Sequence, residues 1–353
     1  MKILVWALSG IGDALMFTPA LQFLKDNVSD AIVDVVVMFK GSYELFANNP
    51  LVNKVIYFDF LHEGKLKSLL FIKNFVRQYD VSINVYPSNR REYNLINFLT
   101  FSPVRASIDH KRQGNKNFGF LNNVRVLEDD NLHNVEENIR LVAKIFNLQP
   151  NYDYDLSFFT DEKSKDIARQ FIKDNPTDGI RIGFHPGCNT LKNHEKRRWE
   201  TEKFADLAKK LINKYNAQIL VFGGPEESHL KNKIVESVNS EKCISVDGKT
   251  LSETFEIIKY CKYFVTNDSS LMHLASAGKR FVFPIIGPTN LNYIHPWRTK
   301  YKAINLNLNC SPCFYYSPKP LTCSRNDIEF KCIKDISADY AFQIISEEID
   351  KEV

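Results

Sequence analysis

The chain has 353 residues, of which 44% are hydrophobic and 25% charged, with a formal net charge of +4. That length exceeds what one core ordinarily supports, so two domains are expected, and the apolar content excludes extensive disorder. The charge is too small and too dispersed for nucleic-acid binding, but it suits an anionic small molecule or an acidic membrane surface.

Residues 2–8 are continuously apolar, as a strand buried on both faces should be. Ser9-Gly10-Ile11-Gly12 then turns the chain into a helical run over residues 13–25, where Pro19 implies a kink or a short first helix. Strands are predicted at residues 31–38, 54–58, 80–85 and 104–108, with a helix over 65–77. Residues 133–146 form an amphipathic helix with Val135, Ile139, Val142 and Phe146 on one face. The Pro-containing polar stretch 148–155 breaks that pattern and reads as a linker, so a first domain of residues 1–150 is expected. The second half restarts the alternation. Strands are predicted at 181–185, 218–222, 243–246, 263–266 and 281–285, with helices over 200–215, 226–238, 251–260 and 269–277. Strands alternating with helices imply two parallel α/β domains, the second spanning residues 151–335, with a ligand cleft between them. Residues 336–353 are expected to form a helix packing back toward the N-terminal domain. No apolar run reaches the ~20 residues that cross a bilayer. The N-terminus also lacks the shape of a signal peptide, so a cytoplasmic protein is expected, with peripheral contact at the inner membrane as an option.

Four segments at predicted strand ends carry candidate chemistry. The first, Leu8 to Asp13, has two glycines but Leu15 where a dinucleotide fingerprint needs a third. Its glycines Gly10 and Gly12 let a backbone approach a ligand, and Asp13 stands at a helix start, where it can equally be an ordinary dipole partner. The second, residues 185–199, places Gly187 near Lys192, Lys196, Arg197 and Arg198, cations suited to a phosphate, with Trp199 as a core anchor. The third, Gly223-Gly224-Pro225-Glu226-Glu227, offers carboxylates that could accept hydrogen bonds from a ribose. In the fourth, Asn267-Asp268-Ser269-Ser270-Leu271-Met272-His273, a strand ends where a helix begins. The helix-start amides and two hydroxyls make an anion site, with His273 one turn later on the same side. A fifth segment holds Cys310, Cys313, Cys323 and Cys332. Four thiols could hold structural zinc or iron, although the spacing is not that of a standard paired knuckle. Reduced thiols or a labile disulfide are the alternatives.

In their order and spacing these segments resemble glycosyltransferase family nine, the heptosyltransferases of lipopolysaccharide synthesis. The resemblance runs from Ser9-Gly10-Ile11-Gly12-Asp13 and Thr18-Pro19 through Lys196-Arg197-Arg198-Trp199 and Gly223 to Glu227, then to Asn267 through His273. It implies a GT-B architecture of two Rossmann-like doubly wound domains facing a central cleft, the acceptor on the N-terminal side and the nucleotide-sugar on the C-terminal side. It also implies inverting transfer without a catalytic metal, with Asp13 as general base. Arg197, assisted by Lys196, and the amides of Ser269 and Ser270 would stabilise the leaving diphosphate. Glu227, or else Glu226, would hold the ribose, and Asp268 and His273 would face the donor. The expected donor is ADP-heptose, and the expected acceptor is a lipopolysaccharide-core-like or other glycan or glycolipid. Members commonly carry Lys where Arg197 stands and Gly where Ser270 stands. In the protein-modifying members a similar cysteine cluster binds iron.

Three competing readings are kept: a protein-modifying heptosyltransferase, a non-catalytic nucleotide-sugar binder, and a nicotinamide-dependent oxidoreductase. Leu15 counts against the last, and Asp13 against the non-catalytic one. For a membrane-embedded acceptor the candidate contact is the basic and aromatic surface of Arg90, Arg91, Tyr93, Lys111 and Arg112.

Overall fold

The computed structural model describes residues 1–316 and 319–352. It divides into two units, Met1–Phe159 together with Tyr316, and Thr160–Tyr315 together with the described residues from Lys319 onward. The first boundary therefore falls after Phe159 rather than at residue 150.

The N-terminal unit is built on six parallel strands: β1 (Lys2–Ala7), β2 (Ile32–Val37), β3 (Lys54–Tyr57), β4 (Val81–Asn84), β5 (Val104–Asp109) and β6 (Val124–Leu127). Their order is β3-β2-β1-β4-β5-β6. The Ile-, Leu- and Val-rich run of β1 fits its central place, where it pairs with β2 from Lys2–Ile32 to Ala7–Val37 and with β4 from Ile3–Val81 to Trp6–Asn84. Leu4, Trp6, Val36, Ile72 and Phe75 pack into a core on one face. A buried amide ladder, which the apolar pattern gave no sign of, lies beside β4. Asn97 donates to Asn122 at 2.7 Å, and Asn122 donates to Asn94 at 2.8 Å. Of the two outcomes expected at Pro19 the short first helix is found: Ile11–Met16 ends and Thr18–Asn27 begins, with Pro19 in the first turn of the new helix, where it is tolerated.

The C-terminal unit has five parallel strands: β7 (Arg181–His185), β8 (Gln218–Val221), β9 (Cys243–Ser245), β10 (Tyr263–Asn267) and β11 (Phe281–Ile285), in the order β11-β10-β7-β8-β9. The segment expected to pack toward the N-terminal domain belongs to the C-terminal unit. The helix Ala338–Ile349 lies against the helix Thr201–Tyr215 of its own unit. Ala338, Ala341, Ile345 and Ile349 all enter that unit's core, next to Phe204, Leu207 and Leu211. The apolar stripe finds its complement there, and the Trp199 indole donates to Ile336 O at 2.8 Å just before it. Val353, the last residue of that expected segment, lies outside the described residues.

Both sheets reverse strand order once, between β1 and β4 in the first and between β7 and β10 in the second. In open parallel sheets the crevice at the carboxyl ends of such a strand pair is where ligands bind.

Candidate functional site

At the reversal in the C-terminal unit, β7 ends at His185 and β10 at Asn267. Asn267 is fully buried and acts as a staple. Its Oδ1 accepts from the Trp199 amide at 2.9 Å, and its Nδ2 donates to Pro186 O at 2.7 Å. The loop after β7 is thereby fastened across the end of β10. Asn267 builds the site and presents no free amide to it.

That fastening aims Arg197. Its guanidinium is buried, ion-paired with Asp268, 3.3 Å from Thr289 Oγ1, 3.2 Å from His194 Nδ1, and 5.6 Å from the centre of the Phe314 ring. Thr289 also donates to Asp268 at 2.7 Å. Asp268 thus orients the cation from one side and the aromatic ring from another. Lys196 goes elsewhere. It is exposed, and its ammonium lies 3.9 Å from Glu329. Both cations belong to the short turn Leu191–Arg197, and of the two Arg197 is the one paired with Asp268.

The helix Ser270–Ala277 starts beside this pair, and no side chain caps it. Ser269, at its N-cap, turns its hydroxyl away, 2.8 Å from His185 Nδ1 and 3.0 Å from Thr266 Oγ1. The positive end of the helix is left for an anion. One turn on, the His273 ring is buried, and desolvation pushes its pKa down to about 4 against the opposing pull of Asp268. It is therefore neutral near pH 7, and its Nδ1 is buried without a hydrogen-bond partner among the described residues.

Glu226 is exposed and Glu227 buried, which decides between the two carboxylates. Glu227 accepts from the Gly224 amide at 3.0 Å, lies 3.1 Å from His185 Nε2, and stands 3.8 Å from the Arg198 guanidinium. Burial alone would raise its pKa, but His185, the Gly224 amide and Arg198 together hold it below the usual glutamate range. Gly187 allows this approach, since a Cβ there would sit 1.8 Å from the carboxylate. His185 is the residue that motif reading passed over, and Arg198, expected among the phosphate cations, stands instead beside Glu227. His185 joins Ser269 to Glu227 through its two ring nitrogens. A strand-terminal His carries no signal for such a bridge, because its partners lie 84 and 42 positions away.

Gly10, Gly12 and Asp13 belong to the N-terminal unit and not to this cluster. Gly10 is the N-cap of the helix Ile11–Met16, and Asp13 accepts from the Gly10 amide at 3.1 Å. Gly12 lies inside that helix. Asp13 thus does serve its helix start, which follows the carboxyl end of β1 at the β1–β4 reversal. There Ser9 donates to Pro87 O at 2.7 Å, and Tyr93 donates to Leu8 O at 3.0 Å. Desolvation and the negative charges of Asp13 and Glu92 push the Tyr93 phenol up to about 12, outweighing Arg90.

Cys310, Cys313, Cys323 and Cys332 are free thiols. They lie close enough that the others' negative charge reinforces desolvation in raising Cys313 and Cys332. Among the described residues, however, no three His, Cys, Asp or Glu side chains are arranged to hold a metal ion, so the expected zinc or iron set is not assembled. Cys310 instead accepts from Arg325 at 3.5 Å, and Cys323 from the Phe330 amide at 3.3 Å.

Comparison with known proteins places these features in context. The family model described as glycosyltransferase family 9 (heptosyltransferase) matches residues 71–321. Lipopolysaccharide heptosyltransferase 2 of Salmonella typhimurium is 29% identical over 329 residues, covering 87% of this chain and 88% of that protein. Lipooligosaccharide heptosyltransferase 2 of Campylobacter jejuni is 25% identical over 344 residues, covering 95% and 94%. The structure of E. coli ADP-heptose lps heptosyltransferase II superposes with a TM-score of 0.74 at 23% identity, covering 100% of this chain and 99% of that one.

Proposed function

Because the chain belongs to glycosyltransferase family 9 and is a glycosyltransferase of the GT-B fold, we propose that it transfers a heptose from ADP-heptose to a hydroxyl of a lipopolysaccharide-core-like glycan. The reaction inverts the anomeric carbon and needs no catalytic metal. The observation that carries this reading is the cluster at the carboxyl ends of β7 and β10. There a buried Arg197 oriented by Asp268, an uncapped helix start at Ser269–Ser270, and a buried ionised Glu227 stand together.

In the reaction the acceptor oxygen attacks C1 of the heptose as the bond from C1 to the diphosphate oxygen breaks. Asp13 takes the proton of the attacking hydroxyl, a task that asks only for an ionised carboxylate within hydrogen-bond reach. The departing ADP gains negative charge. Arg197 and the amides of Ser269 and Ser270 receive it without reorganising, and that preorganisation lowers the barrier. Glu227 accepts from the ribose hydroxyls, its orientation set by His185 and the Gly224 amide. His273, neutral and with an open Nδ1, can bond to the sugar or the phosphate without competing for charge.

The test uses Asp13→Ala with a glycan acceptor and ADP-heptose, UDP-sugar and GDP-sugar donors. Transfer should occur with ADP-heptose alone. In the variant, turnover should fall about 10²–10⁴-fold, the usual contribution of general-base catalysis. Calorimetry should find ADP binding unchanged. Full turnover by the variant would remove Asp13 as the base, and consumption of a UDP- or GDP-sugar instead would overturn the donor assignment.

A further inference from the structure

The helix Gly64–Lys73 is apolar on both sides. Ile72 faces inward and joins Leu4, Trp6 and Phe75 in the core, with the half-buried Phe71 against it. Facing outward, Leu66 is 72% exposed, Leu69 54% and Leu70 59%. At about 100° per residue, these three leucines and Lys73 share one arc, while Lys65 and Lys67 stand on either side of it. All three lysines are exposed. Scattered surface leucines are ordinary, whereas these three adjoin on a single helical face as one exposed apolar patch.

We infer that this face docks on an anionic lipid bilayer. The leucines would enter the boundary between headgroups and acyl chains, and the lysines would extend along the surface to the lipid phosphates. Charge is what selects the lipid. Lys65 and Lys67 flank the apolar arc and Lys73 stands within it, and Glu63, the acidic residue next to the helix, pairs with Lys67 at 2.6 Å. A second copy of the chain is a poorer occupant, because a two-fold contact through this face would set lysine flanks against each other. The basic group of Arg90, Arg91, Lys111 and Arg112 is less suited to lipid. Arg91 pairs with Glu92 at 3.1 Å, and Arg112 with Asp130 at 2.7 Å.

The helix also begins on a functional edge. It follows the carboxyl end of β3, and Ser9 to Asp13 follow the carboxyl end of β1 in the same sheet. Docking by this helix would bring the Asp13 edge to the level of the headgroups, where a lipid-linked acceptor is displayed. That last link rests on the proposed function, whereas the docking itself does not.

The experiment is co-sedimentation of the full chain with vesicles of mixed phosphatidylglycerol and phosphatidylethanolamine, and with vesicles of phosphatidylcholine alone. The chain should pellet with the anionic vesicles, less so at high salt, and stay in solution with the neutral ones. Leu66→Ser with Leu70→Ser should weaken binding roughly tenfold or more, as loss of two buried leucine side chains implies. Thermal melting should be unchanged, since both positions face outward. Lys65→Glu with Lys73→Glu should abolish the preference for anionic lipid. Equal binding by wild type and the leucine variant would overturn the proposal. So would wild-type chain that ignores anionic vesicles, or that elutes as a dimer which the leucine variant dissolves. Transfer to a soluble acceptor should proceed in the leucine variant, so failure of the heptosyl reading would leave the vesicle result standing.

Discussion

Both ring nitrogens of His185 are engaged, one by Ser269 and the other by Glu227. A residue of similar bulk without those nitrogens therefore leaves the serine hydroxyl with Thr266 alone and the buried carboxylate one partner short, the latter costing about 1–3 kcal/mol. His185→Phe is predicted to raise the KM for the donor by about tenfold to a hundredfold while leaving the KM for the acceptor unchanged. Steady-state kinetics with each substrate varied in turn separates the two, and an equal rise in both would assign His185 a merely architectural part. His273 gives a pH prediction. Its folded pKa of about 4 lies below the 6.5 of the exposed side chain, so between those values the unfolded chain holds the proton and the folded chain does not. Stability from this group is fully present above pH 6.5 and is lost as pH falls toward 4, by an amount on the order of 3 kcal/mol. His273→Gln should flatten that part of the stability profile in urea unfolding followed from pH 7 to pH 4, the remaining slope coming from groups such as His194, also pushed down to about 4 by burial and Arg197.

Among elements, the strands of both sheets were legible because buried parallel strands are short apolar runs between turn residues, as at residues 2–7 and 218–221. Helices with one strong stripe, such as Asn134–Phe146, were equally plain. The helix Arg91–Leu99 was not, since its inner face carries Asn94 and Asn97, and amides that satisfy one another in a core look like surface in a sequence. β6 was missed for a related reason: its edge position leaves Leu127 and Arg125 exposed, and its four residues show little alternation. In the site, the carboxylates, serines and arginine were legible as types at strand ends. Which of Lys196 and Arg197, or of Glu226 and Glu227, turns inward was not, because one residue of backbone twist decides it. The C-terminal helix shows the same limit in partner choice, as its stripe announced burial but not against what. Deleting residues 337–353 uncovers Leu211, Phe204 and the indole side of Trp199 and removes Ile345 and Ile349 from the core. A loss of several kcal/mol is expected, at about 1.5–3 kcal/mol for each large apolar side chain. It should appear as an early unfolding transition in calorimetry, and an unaltered profile would mean that the helix contributes nothing to that core.

At the level of the molecule, each unit has its own sheet, its own core and its own strand-order reversal. The family likeness spans the chain, and among the described residues no helix is long and apolar enough to cross a membrane. The division is nevertheless not a single cut. After completing the C-terminal sheet the chain returns to the first unit at Tyr316, whose hydroxyl accepts from Asn134 at 2.6 Å and whose ring meets Tyr86 edge-on at 5.6 Å. Tyr86 in turn stacks on His110 and donates to Glu128 at 3.2 Å. The genetic module and the folding module therefore do not coincide. A chimera that exchanges residues 1–159 for those of a relative inherits a foreign tyrosine socket, and the graft has to carry the segment around residue 316 with it.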